Sequence, residues 1–481
     1  MNIKKCIIIG AGNAGRPVAK LLNHQGVNVT LTDAKCYEEF TTRRQGLLDV
    51  LVGEGVNLDL GVKNPDISGY DAIYLAPTIP ADAPIRKEAQ ENGLTVITRK
   101  FVSDIISDII DMPKIGITGS FGKTTTTAII TSIFQAAGLN VYQCSSMKQN
   151  LVSEAIVNDI ISGEYKGADI AVLELPHGTL GLIGEIPLDI GVITNLIPEH
   201  LSEFGGSMQR YVDRKSILLE TSKTLIANSQ CGEILTHKRY DTIYYNMLNS
   251  FSDEIDLEKY APQFTGFIKD GQYHITYKEN NQKVETKINL KTIANYNYEN
   301  LTAAIATSII YGISLEDIKK GIESFETVGG RMEYLGKYNG ADAYYDASYG
   351  QSVRQALEAI KDENLIIIYG SVDSTSIRDK AESGRVVADY ANMLIATGYV
   401  EITDTLNMDG ALELLNAAEA DIPKLAVCDV DEAAELAVKY AKPGDIIVHV
   451  GAGASNSYQQ VKDKMLRGLQ EGHRRYSNDE H

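Results

Sequence analysis

The sequence predicts an α/β protein built from three successive domains. Short apolar runs alternate with helical stretches along almost the whole chain, the rhythm of doubly wound parallel sheets. Two glycine-rich turns each follow an apolar run and open a helix. The 481 residues leave room for three domains at about 150 residues each.

The first unit, residues 1–110, begins with the apolar run Lys5–Ile9, a glycine turn and a helical stretch to about His24. Val27–Leu31, Ala72–Leu75 and Leu94–Ile97 supply further strands, and Asp33 follows the second. The pattern is Rossmann-like. Asp104–Met112 reads as a bridge to a second unit, 111–328, opened by Ile115-Gly116-Ile117. Helix 123–137 and strands 169–175 and 190–194 continue it. Between 264 and 290, Asp270-Gly271 and Asn280-Asn281 read as hairpin turns of a small antiparallel insert. Helices follow at 297–311 and 315–325, the second started by Ser314 with Asp317 in a capping arrangement. Val328-Gly329-Gly330 marks the last boundary. Strands at 343–346, 364–369, 393–396, 424–428 and 445–450 then make a second Rossmann-like unit, 329–481.

Composition excludes several function classes. Hydrophobic residues are 44% and charged residues 23%, which supplies several cores and argues against global disorder. No apolar run reaches the length of a membrane span, and no room for a signal peptide precedes the first strand. The net charge of −19 repels nucleic acid and anionic membrane. An anionic ligand therefore needs a local site of backbone N–H groups and a few cations. Cys6, Cys36, Cys144, Cys231 and Cys428 are scattered without metal-ligand spacing and read mostly as buried thiols of a reducing cytoplasm. A monomer acting on a small molecule is the expectation.

Two turns carry chemistry. Gly10-Ala11-Gly12-Asn13-Ala14-Gly15 lets backbone N–H groups approach an anion at a helix start, with Asp33 where a ribose hydroxyl would be met. A glycine turn needed only for tight packing remains the alternative, and a hydride-transfer dehydrogenase is a rival reading of the same motif. The sharper signal is Gly116-Ile117-Thr118-Gly119-Ser120-Phe121-Gly122-Lys123-Thr124-Thr125. It is a phosphate-binding loop of P-loop ATPase type, although Ile117 stands where a first glycine is usual. Lys123 would neutralise the β- and γ-phosphates and the Thr124 hydroxyl would hold Mg²⁺. Glu174 and His200 follow strands at the ligand-binding edge of the same unit, suited to complete metal coordination. Lys215, taken alone, is a solvated lysine on an amphipathic helix.

Together these residues resemble the Mur ligase superfamily over nearly the whole chain. The loop 116–125 is similar to the family's phosphate loop, with Phe121 where Asn is usual. Leu173-Glu174-Leu175 resembles the strand whose Glu binds Mg²⁺. Thr194-Asn195-Leu196-Ile197-Pro198-Glu199-His200 is similar to its Asn-Leu-x-x-Asp-His segment. Tyr211-Val212-Asp213-Arg214-Lys215 resembles the helix whose lysine is carbamylated, and Tyr296-Asn297-Tyr298-Glu299-Asn300 the segment whose first Asn meets adenine. Gly330-Arg331-Met332-Glu333 resembles the opening of the C-terminal domain.

The resemblance implies ATP-dependent activation of a substrate carboxylate as an acyl phosphate, with ADP released and phosphate displaced by a nucleophile. ATP and Mg²⁺ would be held by Gly119, Ser120, Gly122, Lys123, Thr124, Thr125, Glu174, His200, Lys215 and Asn297. Arg331 and Asp346 would arrive with a closing third domain. Against the D-glutamate-adding branch, Pro176-His177 replaces Ser-Ser, and Asp346-Ala347-Ser348-Tyr349-Gly350 replaces Asp-Ser-Lys-Ala-Thr; Ser455 resembles a serine near that branch's incoming amino acid. Gly12-Asn13-Ala14-Gly15-Arg16-Pro17 with Glu174-Leu175-Pro176-His177 is more similar to the archaeal branch that closes the last ring of the nickel tetrapyrrole coenzyme F-430. In that branch the N-terminal turn would cradle substrate carboxylates. His177 would contact the tetrapyrrole or the acyl phosphate, or would only cap the turn after it. A peptide ligase of murein or pseudomurein synthesis is the alternative.

Overall fold

The computed structural model describes residues 3–149, 151–198, 201–235, 239, 241–248, 262–270, 272–279, 282–288, 298–325, 328–348, 352–358, 360–370, 380–400, 405–451 and 458–477. Of the residues singled out above, Glu199, His200, Gly271, Asn280, Asn281, Tyr296, Asn297, Tyr349, Gly350 and Ser455 lie outside them. The architecture is α/β, with three large sheets and one two-stranded ribbon.

The first sheet contains β1 (Lys5–Ile9), β2 (Asn28–Asp33), β3 (Asn57–Leu60), β4 (Ala72–Leu75) and β5 (Thr95–Val96), all parallel, in the order β3-β2-β1-β4-β5. The chain reverses its winding at β1, so the turn Gly10–Gly15 sits at the switch point, where doubly wound sheets bind ligands.

The second sheet runs β14-β13-β12-β11-β10-β9-β6-β8-β7. Its members are β6 (Lys114–Thr118), β7 (Val141–Cys144), β8 (Ile170–Glu174), β9 (Leu188–Ile193), β10 (Ser222–Asn228), β11 (Ile243–Met247), β12 (Phe264–Lys269), β13 (Gln272–Glu279) and β14 (Gln282–Ile288). β6 and β8 are buried at every position, as strands covered by helices on both faces must be. The antiparallel hairpins expected at 264–290 are present, but they extend this sheet, because β12 pairs in parallel with β11. The helix Lys123–Ala136 packs against Leu315–Ser324 so closely that a Cβ on Gly321 would lie 2.4 Å from the Cα of Ile133. Ser314 caps the latter helix by accepting the Asp317 N–H at 3.1 Å.

The expected bridge at 104–112 is largely a helix, Arg99–Ile109, capped by the Thr98 hydroxyl, which accepts the Phe101 N–H at 3.2 Å. Its apolar face joins the first sheet's core to the second's. Val102 and Ile106 belong to one cluster with Ile8, Leu22, Leu180 and Leu188. Arg99 also pairs with Glu185 at 2.6 Å, and the buried Arg16 with Glu154 at 3.7 Å. The segment is therefore a packed seam between two units.

The third sheet contains β15 (Glu333–Tyr338), β16 (Ala341–Tyr345), β17 (Leu365–Tyr369), β18 (Met393–Thr397), β21 (Lys424–Val427) and β22 (Ile446–Val450), in the order β15-β16-β22-β17-β18-β21. Only β15 is antiparallel, on the edge. The ribbon pairs β19 (Tyr399–Val400) with β20 (Thr405–Leu406). No helix among the described residues is long and apolar enough to cross a membrane. Cys6, Cys144 and Cys231 are buried, and burial pushes the Cys6 thiol up to about 12. Cys36 and Cys428 are exposed, so the expectation of buried thiols holds for only part of the set.

Among the buried titratable residues, one lies in the third sheet's core beside Asp346. His449 on β22 is 0% exposed, lies 4.4 Å from the Tyr345 ring in a stacked arrangement, and has Nδ1 3.2 Å from the Asp346 carbonyl. A carbonyl only accepts, so Nδ1 carries the proton and the neutral ring donates. Burial lowers its pKa from 6.5 to about 4. The unfolded state therefore takes up the proton first as pH falls. The neutral ring's contribution is whole above pH 6.5 and is lost progressively towards pH 4, by about 3 kcal/mol in all. Urea unfolding of the wild type and His449→Leu at pH 7.5 and 4.5 should show the wild type losing more stability by up to that amount. Parallel losses would contradict the buried neutral imidazole.

Candidate active site

The site is built where β6, β8 and β9 end side by side. Parallel pairing places Ile117 opposite Glu174 and Thr118 opposite Ile193. The loop 119–122 leaves β6 and enters the helix at Lys123. Two glycines are required by close approach. Gly119 has φ +147° and an added Cβ would lie 1.9 Å from Thr194 Oγ1; Gly122 has φ +80° and its Cβ would lie 1.9 Å from Asn300 Oδ1. A side chain at either would strain the backbone and push the loop off its supports.

Those supports are hydrogen bonds from distant segments. The Ser120 N–H donates to the Asn195 carbonyl at 3.0 Å, and the Phe121 N–H to Asn195 Oδ1 at 2.8 Å. Thr194 Oγ1 donates to the Phe121 carbonyl. Ser120 Oγ is 2.8 Å from Tyr211 OH, donates to the Ile197 carbonyl at 2.8 Å, and faces the Ile197 N–H at 3.0 Å. Phe121 itself is buried, so its side chain is an apolar anchor of the loop.

Two ammonium groups meet at one oxygen. Lys123 Nζ donates to the Gly119 carbonyl at 3.1 Å and to that of Ser120 at 2.6 Å. Lys215, 1% exposed, donates to the same Gly119 carbonyl at 2.7 Å, and its ammonium lies 5.0 Å from the Tyr211 ring centroid. Read alone as a surface lysine, Lys215 is instead among the most buried large side chains. Two like charges this close create positive potential at the loop of an otherwise acidic protein, which suits a polyphosphate.

Acidic and hydroxyl oxygens face them. Glu174 is 1% exposed, and its Oε2 accepts the Ser146 N–H at 2.9 Å. Ser146 Oγ lies 3.1 Å from Glu174 Oε2 and 3.1 Å from Thr124 Oγ1. Thr124, Ser146 and Glu174 thus form a continuous chain of hard oxygens at the mouth of the loop. That donor chemistry fits Mg²⁺ better than a softer metal. Among the described residues no group of three His, Cys, Asp or Glu side chains gathers at metal-binding distance, and His200 lies outside them. Ser146 was missed from the sequence. Its signal was weak: two serines after the strand β7, itself not recognised.

The other expected residues form separate constellations. At the N-terminal turn, Gly12 has open space where a Cβ would stand, and Ala14 precedes the helix Gly15–His24. Asp33 accepts the Ala11 N–H at 2.8 Å and the Lys35 N–H at 3.0 Å. One oxygen therefore holds the glycine turn, as the tight-packing alternative requires, and the other is taken by the loop after β2. Asn13 Oδ1 accepts weakly from Arg16 at 3.4 Å. In the third sheet, Asp346 is 1% exposed and accepts from the Met332 N–H at 2.9 Å and the Ser348 N–H at 2.7 Å. Arg331 donates to the Gly330 carbonyl at 3.0 Å beside it. His177 opens the helix His177–Ile183 but does not cap it; its Nε2 lies 3.0 Å from Glu203 Oε2.

If the oxygen chain supports a metal, its middle member matters. Ser146→Ala should weaken binding of Mg²⁺-ADP roughly 10–100-fold while changing metal-free ADP binding little, measured by titration calorimetry. Equal weakening with and without Mg²⁺ would assign Ser146 to loop structure alone.

Comparison with known proteins agrees with this geometry. The model of the Mur ligase middle domain matches residues 117–308, and that of the Mur ligase, glutamate ligase domain, residues 330–453. A UDP-N-acetylmuramoylalanine--D-glutamate ligase of Clostridium botulinum is 30% identical over 477 residues, covering 97% of this chain and 95% of that one. An uncharacterized protein of Methanothermobacter thermautotrophicus is 38% identical over 212 residues, 44% of this chain and 67% of that one. Among solved structures, a pseudomurein peptide ligase type C from Methanothermus fervidus shares the fold with a TM-score of 0.59 at 22% identity, covering 96% of this chain and 100% of that one. Sequence identity sustained over nearly the full length, on top of a phosphate loop fastened to the end of β9, means that the chain belongs to the Mur ligases, ATP-dependent enzymes that release ADP.

Proposed function

We propose that this ligase activates a propionate-type side chain of a carboxylate-rich tetrapyrrole and completes coenzyme F-430 by closing its last ring. In this reading the chain divides into units 1–110, 111–328 and 329–481. The observation that carries the activation step is the chain Thr124–Ser146–Glu174 beside the paired ammonium groups of Lys123 and Lys215. A carboxylate is a poor electrophile, and its mixed anhydride with phosphate, the acyl phosphate, is a good one. Lys123 and the N–H groups of the first helical turn that it opens, with Thr125 behind them, hold the transferring phosphoryl group and offset its charge. Thr124, Glu174 and His200 would hold Mg²⁺, which supplies further charge neutralisation when bound; a carbamate on Lys215 would replace its ammonium with a metal-binding anion and leave Lys123 as the cation at the loop. Asn297 meets adenine, and Arg331 and Asp346 come to the nucleotide as the third unit closes, keeping water from the acyl phosphate.

The acceptor side supports an intramolecular nucleophile. Where the D-glutamate-adding branch carries a lysine, this chain has Ser348, whose N–H is turned to Asp346. A cation for an incoming amino acid's carboxylate is thus replaced at that position. His177 follows the metal-binding Glu174 and faces the substrate, Gly12, Asn13, Ala14, Gly15 and Asp33 shape the N-terminal anion site, and Ser455 lies near the acceptor. The full-length likeness to the Clostridium enzyme favours a second reading, addition of an amino acid to a nucleotide-linked precursor.

The test is ADP release with ATP, Mg²⁺ and the open-ring nickel precursor, without any amine. Product should accumulate with the spectrum of the closed ring, and Lys123→Ala should abolish turnover. ADP release only when a nucleotide-linked muramoyl peptide and an amino acid are both supplied would replace this reading with the second.

A further inference from the structure

A cavity of about 460 Å³ lies beside the site, between the helix Arg99–Ile109, the turn Leu201–Phe204 and the helices Met208–Lys215 and Ile217–Thr221. None of the residues assigned to nucleotide or metal lines it. Phe204 and Ile217 give it apolar walls, Arg99, Arg210 and Arg214 bring three positive charges, and Glu203 and Asp213 bring two negative ones.

The charged lining sums to one net positive charge, and its two carboxylates are turned to other groups. Each nearby carboxylate has a partner of its own. Glu185 pairs with Arg99 at 2.6 Å, Glu203 with His177 at 3.0 Å, and Asp213 accepts from Gln209 Nε2 at 2.8 Å. Among the described residues, Arg210 and Arg214 form no ion pair. Arg210 is exposed at the rim. Arg214 is partly buried, its guanidinium 6.0 Å from the Phe204 ring centroid, and its Nη1 donates to the His177 carbonyl at 3.3 Å. Burial and the like charge of Arg99 hold its pKa below the usual arginine range. A partly desolvated guanidinium held beside a second one, with one long bond to a neutral carbonyl, is costly unless an anion completes it.

The cavity is also tied to the reacting end of the site. Arg214 immediately precedes Lys215, whose ammonium holds the phosphate loop. His177, whose carbonyl Arg214 holds, stands three residues after Glu174. An added Cβ on Gly181 would lie 2.3 Å from Arg214 Nη1, so the guanidinium lies directly against the helix that His177 opens.

We propose that this cavity is an anion subsite for the acid substrate, in which Arg214 and Arg210 hold a carboxylate or phosphate of the part that does not react. Guanidinium suits both groups through paired N–H donors. A subsite one helix away from the phosphate loop would fix the substrate's distal end while the activated carboxylate faces Lys123. The identity of the anion rests on the function proposed above; the existence of the subsite does not.

Binding without turnover separates the two. The Mg²⁺-ADP form of the full chain is titrated with a metal-free octacarboxylic porphyrin and, in parallel, with UDP-N-acetylmuramoyl-L-alanine. Arg214→Met keeps a long stem against Phe204 and removes the charge; Arg214→Lys keeps the charge; Arg210→Gln alters only the rim. Arg214→Met should weaken one probe at least tenfold, most strongly at low salt, with Arg214→Lys intermediate, Arg210→Gln weaker than wild type, and ADP affinity and melting temperature unchanged. A response confined to the porphyrin supports subsite and tetrapyrrole together. A response confined to the nucleotide probe keeps the subsite and removes the tetrapyrrole. Equal affinities in the wild type and Arg214→Met, or no binding of either probe by the wild type, overturn the subsite and leave Arg214 as packing for His177.

Discussion

The loop between β6 and its helix depends on being fastened from outside its own sequence. Four residues cannot hold a positive-φ turn by themselves, because the entropy of ordering them exceeds what their own hydrogen bonds return. Thr194 and Asn195 at the end of β9, Tyr211 and Lys215 on a later helix, and Asn300 on another all reach the loop. These contacts are buried, so breaking any of them leaves a polar group unsatisfied in low dielectric. The loop is thereby set in advance of any ligand, the condition for electrostatic catalysis of phosphoryl transfer.

The same arrangement solves a charge problem. A protein of net charge −19 must bind polyanions against its own field. It does so by concentrating cations where solvent screens them least. Lys123 and Lys215 share one carbonyl oxygen, and Arg214 stands partly buried on the same helix as Lys215. The counter-charges sit close by but are engaged elsewhere, as Glu174 is by Ser146 and Glu203 by His177. Separation over a few ångströms gives local positive potential within an overall acidic protein.

The seam between the first two sheets has a mechanical meaning. A shared core and the Arg99–Glu185 and Arg16–Glu154 pairs tie the N-terminal glycine turn to the unit that carries the phosphate loop. Arg16 is nearly fully buried, and its Nε has no hydrogen-bond partner, so this junction is packed tightly at a polar cost. The N-terminal glycine turn and the phosphate loop are thus held in fixed register by burial.

Local patterning determined most of the elements. Strands such as Ile170–Glu174 and Leu365–Tyr369 are continuous apolar runs, buried on both faces, and the Ser314 cap and the Gly-Lys-Thr-Thr loop declare themselves by adjacent residues. The weaker strands β7, β10 and β11 were not legible, because polar residues interrupt them and neighbours in the sheet supply their order. Tertiary structure alone decided that Lys215 is buried, that Ser146 joins Thr124 to Glu174, that Asp33 closes its own turn, and that the antiparallel strands continue the central sheet. The reason is the same in each case. A motif made of neighbouring residues is written in the sequence, whereas a contact between residues 22 to 97 positions apart depends on which strand ends the sheet order brings together.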